Sequence, residues 1–377
     1  MSKHKSNRIP KFILLCSIYL ASSIASVHGD DTQQTQSLSG VSFDTVVKGL
    51  KSPWAMAFLP NGDMLVTERS GSLKIVRNEK ILGKVADVPE VYFAGQGGLL
   101  DVMLDQDFAK NSRIYLSFSH GKRSANATRL ISAKLVSTNQ GYSLKDQKVL
   151  FTAQPMKRTG HHHGARIAQL NDGSLIMTVG DGYNYREQAQ TLDNHFGKII
   201  RVDSVGTPPA DNPFIDQQDA LPEIYSFGHR NQQGLAVDGN RIYQHEHGPK
   251  GGDEVNIIEA GTNYGWPVAT FGIDYNGASI SPFTSYEGMR SPTINWTPSI
   301  APSSMALHNG FLYVTTLAEQ SVRKLSITDG NIIDLGIVYK ELNTRLRDIA
   351  SAPDGHLYIM TDGSNGKIIK VTENSGL

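Results

Sequence analysis

The sequence predicts an all-β protein with the architecture of a six-bladed β-propeller. One hairpin pattern recurs six times along the chain, with turns centred near residues 62, 112, 173, 239, 310 and 355. The copies are spaced roughly 45 to 71 residues apart, which is typical of blades that bury their faces only by stacking around an axis. Long helical periodicity is hard to find after residue 40. An array of two-sheet sandwiches is the alternative, and six copies favour the propeller.

Each copy is a short apolar strand, a tight turn and a second apolar strand. Five of the turns are Asn/Asp-Gly turns, in which glycine supplies the positive φ that a tight hairpin requires, and the second copy has a longer turn. In chain order the copies are Ala55–Val66, Val102–Leu116, Ile167–Met177, Leu235–Tyr243, Met305–Val314 and Ile349–Ile359. The longer spacings in the middle of the chain predict loops inserted on one face, where functional sites are usually built.

Length and composition exclude several classes of protein. The 377 residues suffice for a large core, and the apolar content is that of a globular protein, which excludes intrinsic disorder. A single cysteine excludes a disulfide scaffold. Equal numbers of basic and acidic residues, 36 of each, give no sign of a nucleic-acid partner.

The first 29 residues have the three parts of a secretory signal peptide. Four basic residues (Lys3, Lys5, Arg8 and Lys11) precede an apolar run over residues 12–21, and small and polar residues follow up to Gly29. The run is short for a membrane span, although an uncleaved anchor is the alternative. Residues 30–40 form a short polar segment, and residues 41–377 form the propeller. The mature chain would carry a net charge of −4 (32 basic minus 36 acidic residues), no cysteine and no membrane span, and we expect it in the periplasm.

Two glycine- and histidine-rich segments are candidates for chemistry. Gly95-Gln-Gly-Gly-Leu-Leu-Asp101 allows a close backbone approach to a ligand but lacks the Gly-Lys-Ser/Thr of a phosphate loop. The second segment contains three consecutive histidines, of which only His161 and His163 would share a face in an extended chain and bind one ion. A single histidine that faces the propeller mouth, oriented by an acid such as Asp181, would suit proton abstraction near neutral pH.

Two further segments suggest a cation site and an anion site. In His245-Glu-His-Gly-Pro-Lys-Gly-Gly-Asp-Glu254, turns free carbonyls from any sheet, and with acids these form a site for a hard cation such as Ca²⁺. The His-Glu-His run could instead favour zinc, but one strand face offers too few ligands. Arg345 and Arg347 alternate on one strand and so share a face. They predict either a polycarboxylate ligand or ordinary salt bridges to nearby acids.

Together these segments resemble the soluble sugar dehydrogenases that depend on pyrroloquinoline quinone (PQQ), the glucose/sorbosone dehydrogenase family, and within it the aldose sugar dehydrogenases. The resemblance runs from Gly49 to Val371. It rests on seven segments in order: Gly95-Gln-Gly-Gly-Leu-Leu, His162-His-Gly-Ala-Arg166, Gly228-His-Arg-Asn231, Glu246-His-Gly-Pro249, Gly252-Asp-Glu254, Asn263-Tyr-Gly-Trp266 and Arg345-Leu-Arg-Asp348. The fold that it implies is again a six-bladed propeller.

The resemblance implies an activity and a set of site residues. It implies oxidation of an aldose at C1 to the lactone, with hydride transfer to PQQ and electrons passed to an external acceptor. His162 matches the proton-abstracting histidine, with His161 and His163 as bystanders, and Asp181 matches the acid that orients it. The residues that match cofactor contacts are Gln96, Arg230, Asn231, Arg345 and Arg347, with Tyr275 as a wall of the cofactor and sugar pocket.

The resemblance also implies two calcium sites. The carbonyls of Gly248 and Pro249 match ligands of the Ca²⁺ that activates PQQ, and Glu254 with the Tyr264 carbonyl matches a second, structural ion. One residue departs from the family pattern, because Ala318 stands where a lysine commonly neutralises PQQ. Two other functions stay open at this point: a calcium-dependent propeller lactonase or other hydrolase, and a non-catalytic glycan-binding propeller.

Overall fold

A computed structural model describes residues 40–373 apart from 140 and 329. The predicted signal peptide, and all but the last residue of the polar segment 30–40, lie outside the described residues. Twenty-four strands form six antiparallel four-stranded sheets, which confirms the six-bladed propeller. Within the described residues, helix is limited to α1 (Phe108–Asn111) and two 3-10 turns, Arg186–Gln190 and Lys340–Leu342. None of the helices in the described residues has the length and apolar character needed to cross a bilayer.

The blades follow one another along the chain, each from its innermost to its outermost strand. Blade 1 contains β2 (Pro53–Phe58), β3 (Met64–Glu68), β4 (Ser72–Arg77) and β5 (Lys80–Lys84). Blade 2 contains β6 (Leu99–Leu104), β7 (Arg113–Lys122), β8 (Ala125–Thr138) and β9 (Gly141–Thr152). Blade 3 contains β10 (Ile167–Gln169), β11 (Leu175–Val179), β12 (Lys198–Val202) and β13 (Ile224–Phe227).

The remaining blades complete the ring. Blade 4 contains β14 (Gln232–Asp238), β15 (Arg241–Glu246), β16 (Asp253–Ile258) and β17 (Ile294–Trp296). Blade 5 contains β18 (Pro302–His308), β19 (Phe311–Thr316), β20 (Val322–Thr328) and β21 (Asn331–Val338). Blade 6 contains β22 (Leu346–Ser351), β23 (Leu357–Thr361), β24 (Gly366–Glu373) and, as its outer strand, β1 (Val41–Leu50), so the two ends of the described chain close the ring together.

The core lies between the blades. Six clusters of buried apolar side chains each join two neighbouring sheets. Strand β11 illustrates the arrangement: Leu175 and Met177 pack toward blade 2, whereas Ile176 packs toward blade 4. Alternate residues of a strand point to opposite faces, so a strand inside the ring is apolar on both sides. This explains why the predicted hairpins read as continuous apolar runs rather than as alternating ones.

The predicted hairpin turns and the predicted site residues lie at opposite ends of the inner strands. The hairpins join the first strand of a blade to its second. Gln96, His162, Asn231 and Arg345 instead precede or open a first strand, and Asp181 follows a second strand. Because neighbouring strands are antiparallel, these two kinds of position meet at the same face of the propeller.

Candidate active site

His162 and Asp181 are in contact at this face. The distance from His162 Nδ1 to Asp181 Oδ1 is 2.7 Å, and both side chains are almost fully buried. The second carboxylate oxygen of Asp181 accepts a hydrogen bond of 2.8 Å from the Trp266 indole, and its first also accepts one from the Tyr183 amide. The carboxylate is therefore held in one orientation. Because it contacts Nδ1 of His162, the Nε2 atom of that ring remains available to a ligand.

The backbone of His162 is held as firmly as its ring. Its φ of 51° lies in the left-handed region, which is uncommon for a residue with a Cβ. The His162 amide donates to Gln96 Oε1 at 2.8 Å, and the buried Lys157 amine donates to the carbonyls of His161 and His162. Behind the carbonyl, a Cβ on Gly180 would lie 2.5 Å from the His162 oxygen, so only glycine fits there.

The surroundings of His162 favour its neutral form. Burial lowers the pKa of His162 to about 4, and the charges of Arg230 and Lys157 lower it as well, although Asp181 acts in the opposite direction. Burial alone would raise the pKa of Asp181, but the contact with His162 and the charge of Arg230 bring it below its usual value. The pair is therefore an ionised carboxylate next to a neutral imidazole, the arrangement of a general base with its orienting acid.

His162 opens onto a cavity of about 410 Å³. Tyr275, which is 60% exposed, lines this cavity together with His162. An ion pair of 3.6 Å between Arg186 and Asp274 joins two loops at the rim. The cavity lining also includes Asp181, Tyr183, Arg230, Pro249 and Trp266.

A second cavity, of about 210 Å³, contains the predicted arginine pair. Arg345 and Arg347 both line it, and each forms an ion pair of 3.0 Å with Asp362. The predicted salt bridges are therefore present, and both arginines also line a cavity, so the ligand alternative stays a prediction. Gln96 and Asn231 line the same cavity, whereas Arg230 lines the cavity of His162.

Three residues of the second cavity were missed or misjudged from sequence. His163 was expected to be a bystander, but it lines this cavity, is 2% exposed, and its Nε2 atom has no hydrogen-bond partner. Trp54 and Arg69 come from blade 1, in segments that look like an ordinary hairpin. Only the position of Arg69 directly after a predicted inner hairpin, on the same face as the other site residues, could have drawn attention to it.

The Gly-Pro turn concentrates carbonyl oxygens. Arg230 donates from one Nη1 atom to the carbonyls of His247 and Gly248, at 2.9 and 2.8 Å. A Cβ on Gly248 would lie 2.1 and 2.3 Å from the carbonyl oxygens of Gly251 and Gly252. The turn therefore attracts a cationic group. The described part of the chain contains no group of three or more His, Cys, Asp or Glu side chains able to hold a metal ion.

Glu254 lies beside a second buried carboxylate. It pairs across the sheet with Glu246, and burial together with the charge of Glu246 raises its pKa well above its usual value. The Glu246 side chain lies 3.5 Å from His229, whose ring stacks on Tyr264. Glu254 and Tyr264 thus belong to one contiguous buried group between blades 3 and 4.

Ala318 has no cationic substitute among its neighbours in sequence. Arg323 pairs with Glu319 and with Asp334, and the Lys324 amine lies over the Phe311 ring at 4.1 Å. Neither cation lines the cavity of Arg345 and Arg347.

Comparison with known proteins gives a consistent family relationship. The sequence profile described as glucose / sorbosone dehydrogenase matches residues 50–370. The aldose sugar dehydrogenase of Escherichia coli is 38% identical over 347 residues, covering 88% of this chain and 93% of that protein. The quinoprotein glucose dehydrogenase B of Acinetobacter calcoaceticus is 27% identical, covering 100% and 98%.

Solved structures agree in fold. The apo-form crystal structure of the soluble Escherichia coli aldose sugar dehydrogenase superimposes with a TM-score of 0.84 at 36% identity, covering 88% of this chain and 99% of that one. The PQQ-bound form of an aldose sugar dehydrogenase from Streptomyces coelicolor superimposes with a TM-score of 0.74 at 28% identity, covering 88% and 98%.

Proposed function

Since the chain belongs to the glucose/sorbosone dehydrogenase family, we propose that it is a PQQ-dependent aldose sugar dehydrogenase that also requires Ca²⁺. It oxidises an aldose at C1 to the lactone and passes the electrons to an external acceptor. The observation that carries the proposal is the pairing of two features at one face: a buried neutral histidine with an orienting carboxylate, and a cavity lined by arginines.

The residues present fit the quinone. PQQ carries three carboxylates, and the cavity offers Arg69, Arg345 and Arg347 against the single acid Asp362 that pairs with two of them. The buried Nε atom of Arg230 and the Nε2 atom of His163 also have no hydrogen-bond partner. Buried polar atoms without a partner are costly, so a ligand that accepts from them would be stabilised. Gln96, Asn231, Arg345 and Arg347 would hold the cofactor, together with Arg230 from the cavity of His162.

The donor chemistry also fits calcium. The carbonyl oxygens of Gly248 and Pro249 are hard ligands, and the Gly248 carbonyl already accepts from a cationic group. Ca²⁺ takes about six to eight oxygen ligands, so water and cofactor oxygens would complete the shell. A second Ca²⁺ at Glu254 and the Tyr264 carbonyl would relieve the repulsion between Glu254 and Glu246.

The chain's own residues supply proton transfer and orientation. The chemistry that the quinone supplies when bound is the two-electron oxidation of the sugar. His162, neutral and with Nδ1 committed to Asp181, accepts the proton of the C1 hydroxyl at Nε2. Asp181 stabilises the imidazolium that forms, and its bond from Trp266 keeps it aligned during the transfer. Tyr275 and Trp266 would form walls against which the sugar ring packs.

The test is dye reduction by purified protein that has been stripped with a chelator and then reloaded. With PQQ and Ca²⁺ present, we expect reduction of a redox dye with at least one of a panel of aldoses, and no reduction when either is left out. Lactone hydrolysis without the quinone would instead indicate the hydrolase. Glycan binding without either reaction would indicate a non-catalytic propeller.

We also propose that the protein is exported and acts in the periplasm. The basic, apolar and small-residue parts of segment 1–29 support cleavage after Gly29. N-terminal sequencing of protein from the periplasmic fraction should begin at Asp30, and a retained Met1 would contradict this.

A further inference from the structure

The cavity of Arg345 and Arg347 contains more positive than negative charge. Asp362 forms an ion pair with each of these arginines at 3.0 Å, so both share one acid. Arg69 lines the same cavity, and no carboxylate among the described residues forms an ion pair with it. Burial lowers the pKa of Arg69, and the charge of Asp362 opposes this effect from beyond ion-pair distance. Three guanidinium groups thus depend on one carboxylate, which is unfavourable unless a further anion is bound.

Arg69 is held in place by blade 1 and blade 2 together. Its amide donates to the Ser52 carbonyl and its carbonyl accepts from the Leu99 amide, both at 3.0 Å. A Cβ on Gly98 would lie 2.0 Å from the Arg69 oxygen, so this close approach requires glycine. The backbone that carries the guanidinium is therefore fixed before any ligand arrives.

The guanidinium itself makes contacts that position it without neutralising it. Its Nη1 atom donates to the Gly95 carbonyl at 2.7 Å, and it lies 5.5 Å from the centre of the Phe93 ring. The loop that contains Gly95 also carries Gln96. The Gln96 side chain is uncharged, and its Oε1 atom accepts a hydrogen bond from the His162 amide. A carbonyl and a ring orient a guanidinium and leave most of its donors available.

The charge of Arg69 reaches the other basic groups of the cavity. Burial lowers the pKa of Arg347, and the charges of Arg166 and Arg69 lower it further despite the opposing effect of Asp362. Burial likewise holds the pKa of His163 well below its usual value, and Arg69 is one of the cations that add to this effect. Arg69 and Arg347 therefore repel each other, and Arg69 disfavours a proton on His163. A carboxylate between the two arginines would relieve the repulsion.

We propose that Arg69 is a third cationic ligand of the anionic cofactor, binding a carboxylate together with the Arg345/Arg347 pair, next to the free Nε2 atom of His163. The inference rests on the proposed function, in that the anion is taken to be PQQ. It assigns to blade 1 a direct part in cofactor binding, in addition to blades 2, 3, 4 and 6. It also explains why the cavity needs no cation at Ala318.

The test is a binding titration that does not depend on turnover. Chelator-stripped protein is titrated with PQQ in the presence of Ca²⁺, and binding is followed by tryptophan fluorescence, since Trp54 lines the cavity, and by absorbance. For Arg69→Met we expect a dissociation constant about ten- to a hundredfold higher than that of the unchanged protein, with a weaker dependence on salt. Arg69→Lys keeps the charge but loses the bidentate geometry of the guanidinium. Its dissociation constant should lie between those of the unchanged protein and Arg69→Met.

The exposed Arg123 provides a matched control, because Arg123→Met removes the same charge from a turn that does not line the cavity. It should leave the dissociation constant unchanged. Unchanged binding in Arg69→Met, with normal binding in the parent, would overturn the role of Arg69 and leave the proposed function standing. Equal losses in Arg69→Met and Arg69→Lys, with a matching fall in melting temperature, would overturn it in favour of a structural role. Absence of PQQ binding in the parent would instead reject the proposed function.

Discussion

His162 is the residue on which the proposed chemistry depends, and the contacts around it explain how it can act as a base. Its ring is oriented by Asp181, and its backbone is fixed by Gln96 and Lys157. Gln96 also lines the cavity of Arg345 and Arg347, but neither the His162 ring nor Asp181 does. Proton transfer and cofactor binding should therefore separate when His162 is changed.

His162→Ala should abolish dye reduction while it leaves PQQ binding mostly intact. General bases contribute about 10²- to 10⁴-fold to enzymatic rates, so the loss of kcat should be at least of that order. Steady-state kinetics and a PQQ titration on the same preparation measure the two properties. An equal loss of binding and turnover would show that His162 holds the cofactor rather than the proton.

The activity of the loaded enzyme should persist to a lower pH than that of an enzyme whose base is a histidine of ordinary pKa. A base works only while it is unprotonated, and burial lowers the pKa of His162 to about 4. We therefore expect kcat/KM to stay level from pH 7 down to about pH 5 and to fall as the pH approaches 4. A pH–rate profile measures this, and an acid limb near 6.5, the usual pKa of histidine, would contradict it.

At the scale of single residues, the sequence alone limits the candidates for the general base only to a run of three histidines. The resemblance selected His162, and the structure gives it the one carboxylate partner in the run. His163 could not be placed, because the left-handed φ values of His162 and Ala165 break the simple alternation of an extended segment. Arg69 was missed for a different reason: its role depends on blades 1 and 6 meeting, which requires the closed ring.

The turn between β15 and β16 is the element that presents the proposed calcium ligands. Asp253 fixes this turn, since its Oδ1 atom accepts from the Gly248 amide at 2.9 Å. Its Oδ2 atom accepts from Ser299 Oγ and from the amides of Ile300 and Ala301. One buried carboxylate thus joins the turn of blade 4 to the connection that enters blade 5.

Asp253→Asn should weaken Ca²⁺ binding about tenfold or more without touching a proposed ligand. An amide has one oxygen where the carboxylate has two, so either the Gly248 amide or the three donors on the other side lose their acceptor. Calcium titration of the apoprotein, alongside circular dichroism to check the fold, measures the effect. Unchanged calcium affinity would mean that the turn keeps its shape without Asp253.

The six inner hairpins could be predicted because each carries its own turn signal within a few residues. The outer strands could not, because several of them are largely exposed and lack a continuous apolar run, as in β5 and β21. Strand β1 is the extreme case: it pairs with β24 at the other end of the described chain, with Val41 opposite Glu373. No local pattern reports a contact of that sequence separation.

One side chain, from the segment that enters blade 3, contacts the other five blades. Arg166 precedes β10 in blade 3 and is buried. Its contacts are the Trp54 ring in blade 1 (4.1 Å), Asp101 in blade 2 (3.4 Å), the Gln233 carbonyl in blade 4 (2.7 Å), the Ser303 carbonyl in blade 5 (2.9 Å) and Asp348 in blade 6 (3.1 Å). The ring is thus tied together at its centre as well as through β1.

Arg166→Met should destabilise the whole propeller by about 3–5 kcal/mol, because it leaves two buried carboxylates without their cation. Burial already raises the pKa of Asp101 to about 6 against the effect of Arg166, and without Arg166 it should rise further. The folded variant then binds protons that the unfolded chain does not, so its stability deficit should shrink as the pH falls from 8 to 5. Denaturant unfolding at the two pH values measures this, and a deficit independent of pH would contradict the account.

The central claim is that the cation-lined cavity and the His162–Asp181 pair together form one oxidising site. A single-turnover experiment tests it most directly: protein loaded with PQQ and Ca²⁺ is mixed with an aldose in the absence of any dye, and the cofactor's absorbance is followed. The account predicts saturable loading of one cofactor per chain, followed by a spectral change when the aldose is added. The His162→Ala variant should load with the cofactor but show no spectral change. Loading without any spectral change for every aldose tested, or no loading at all, would contradict it.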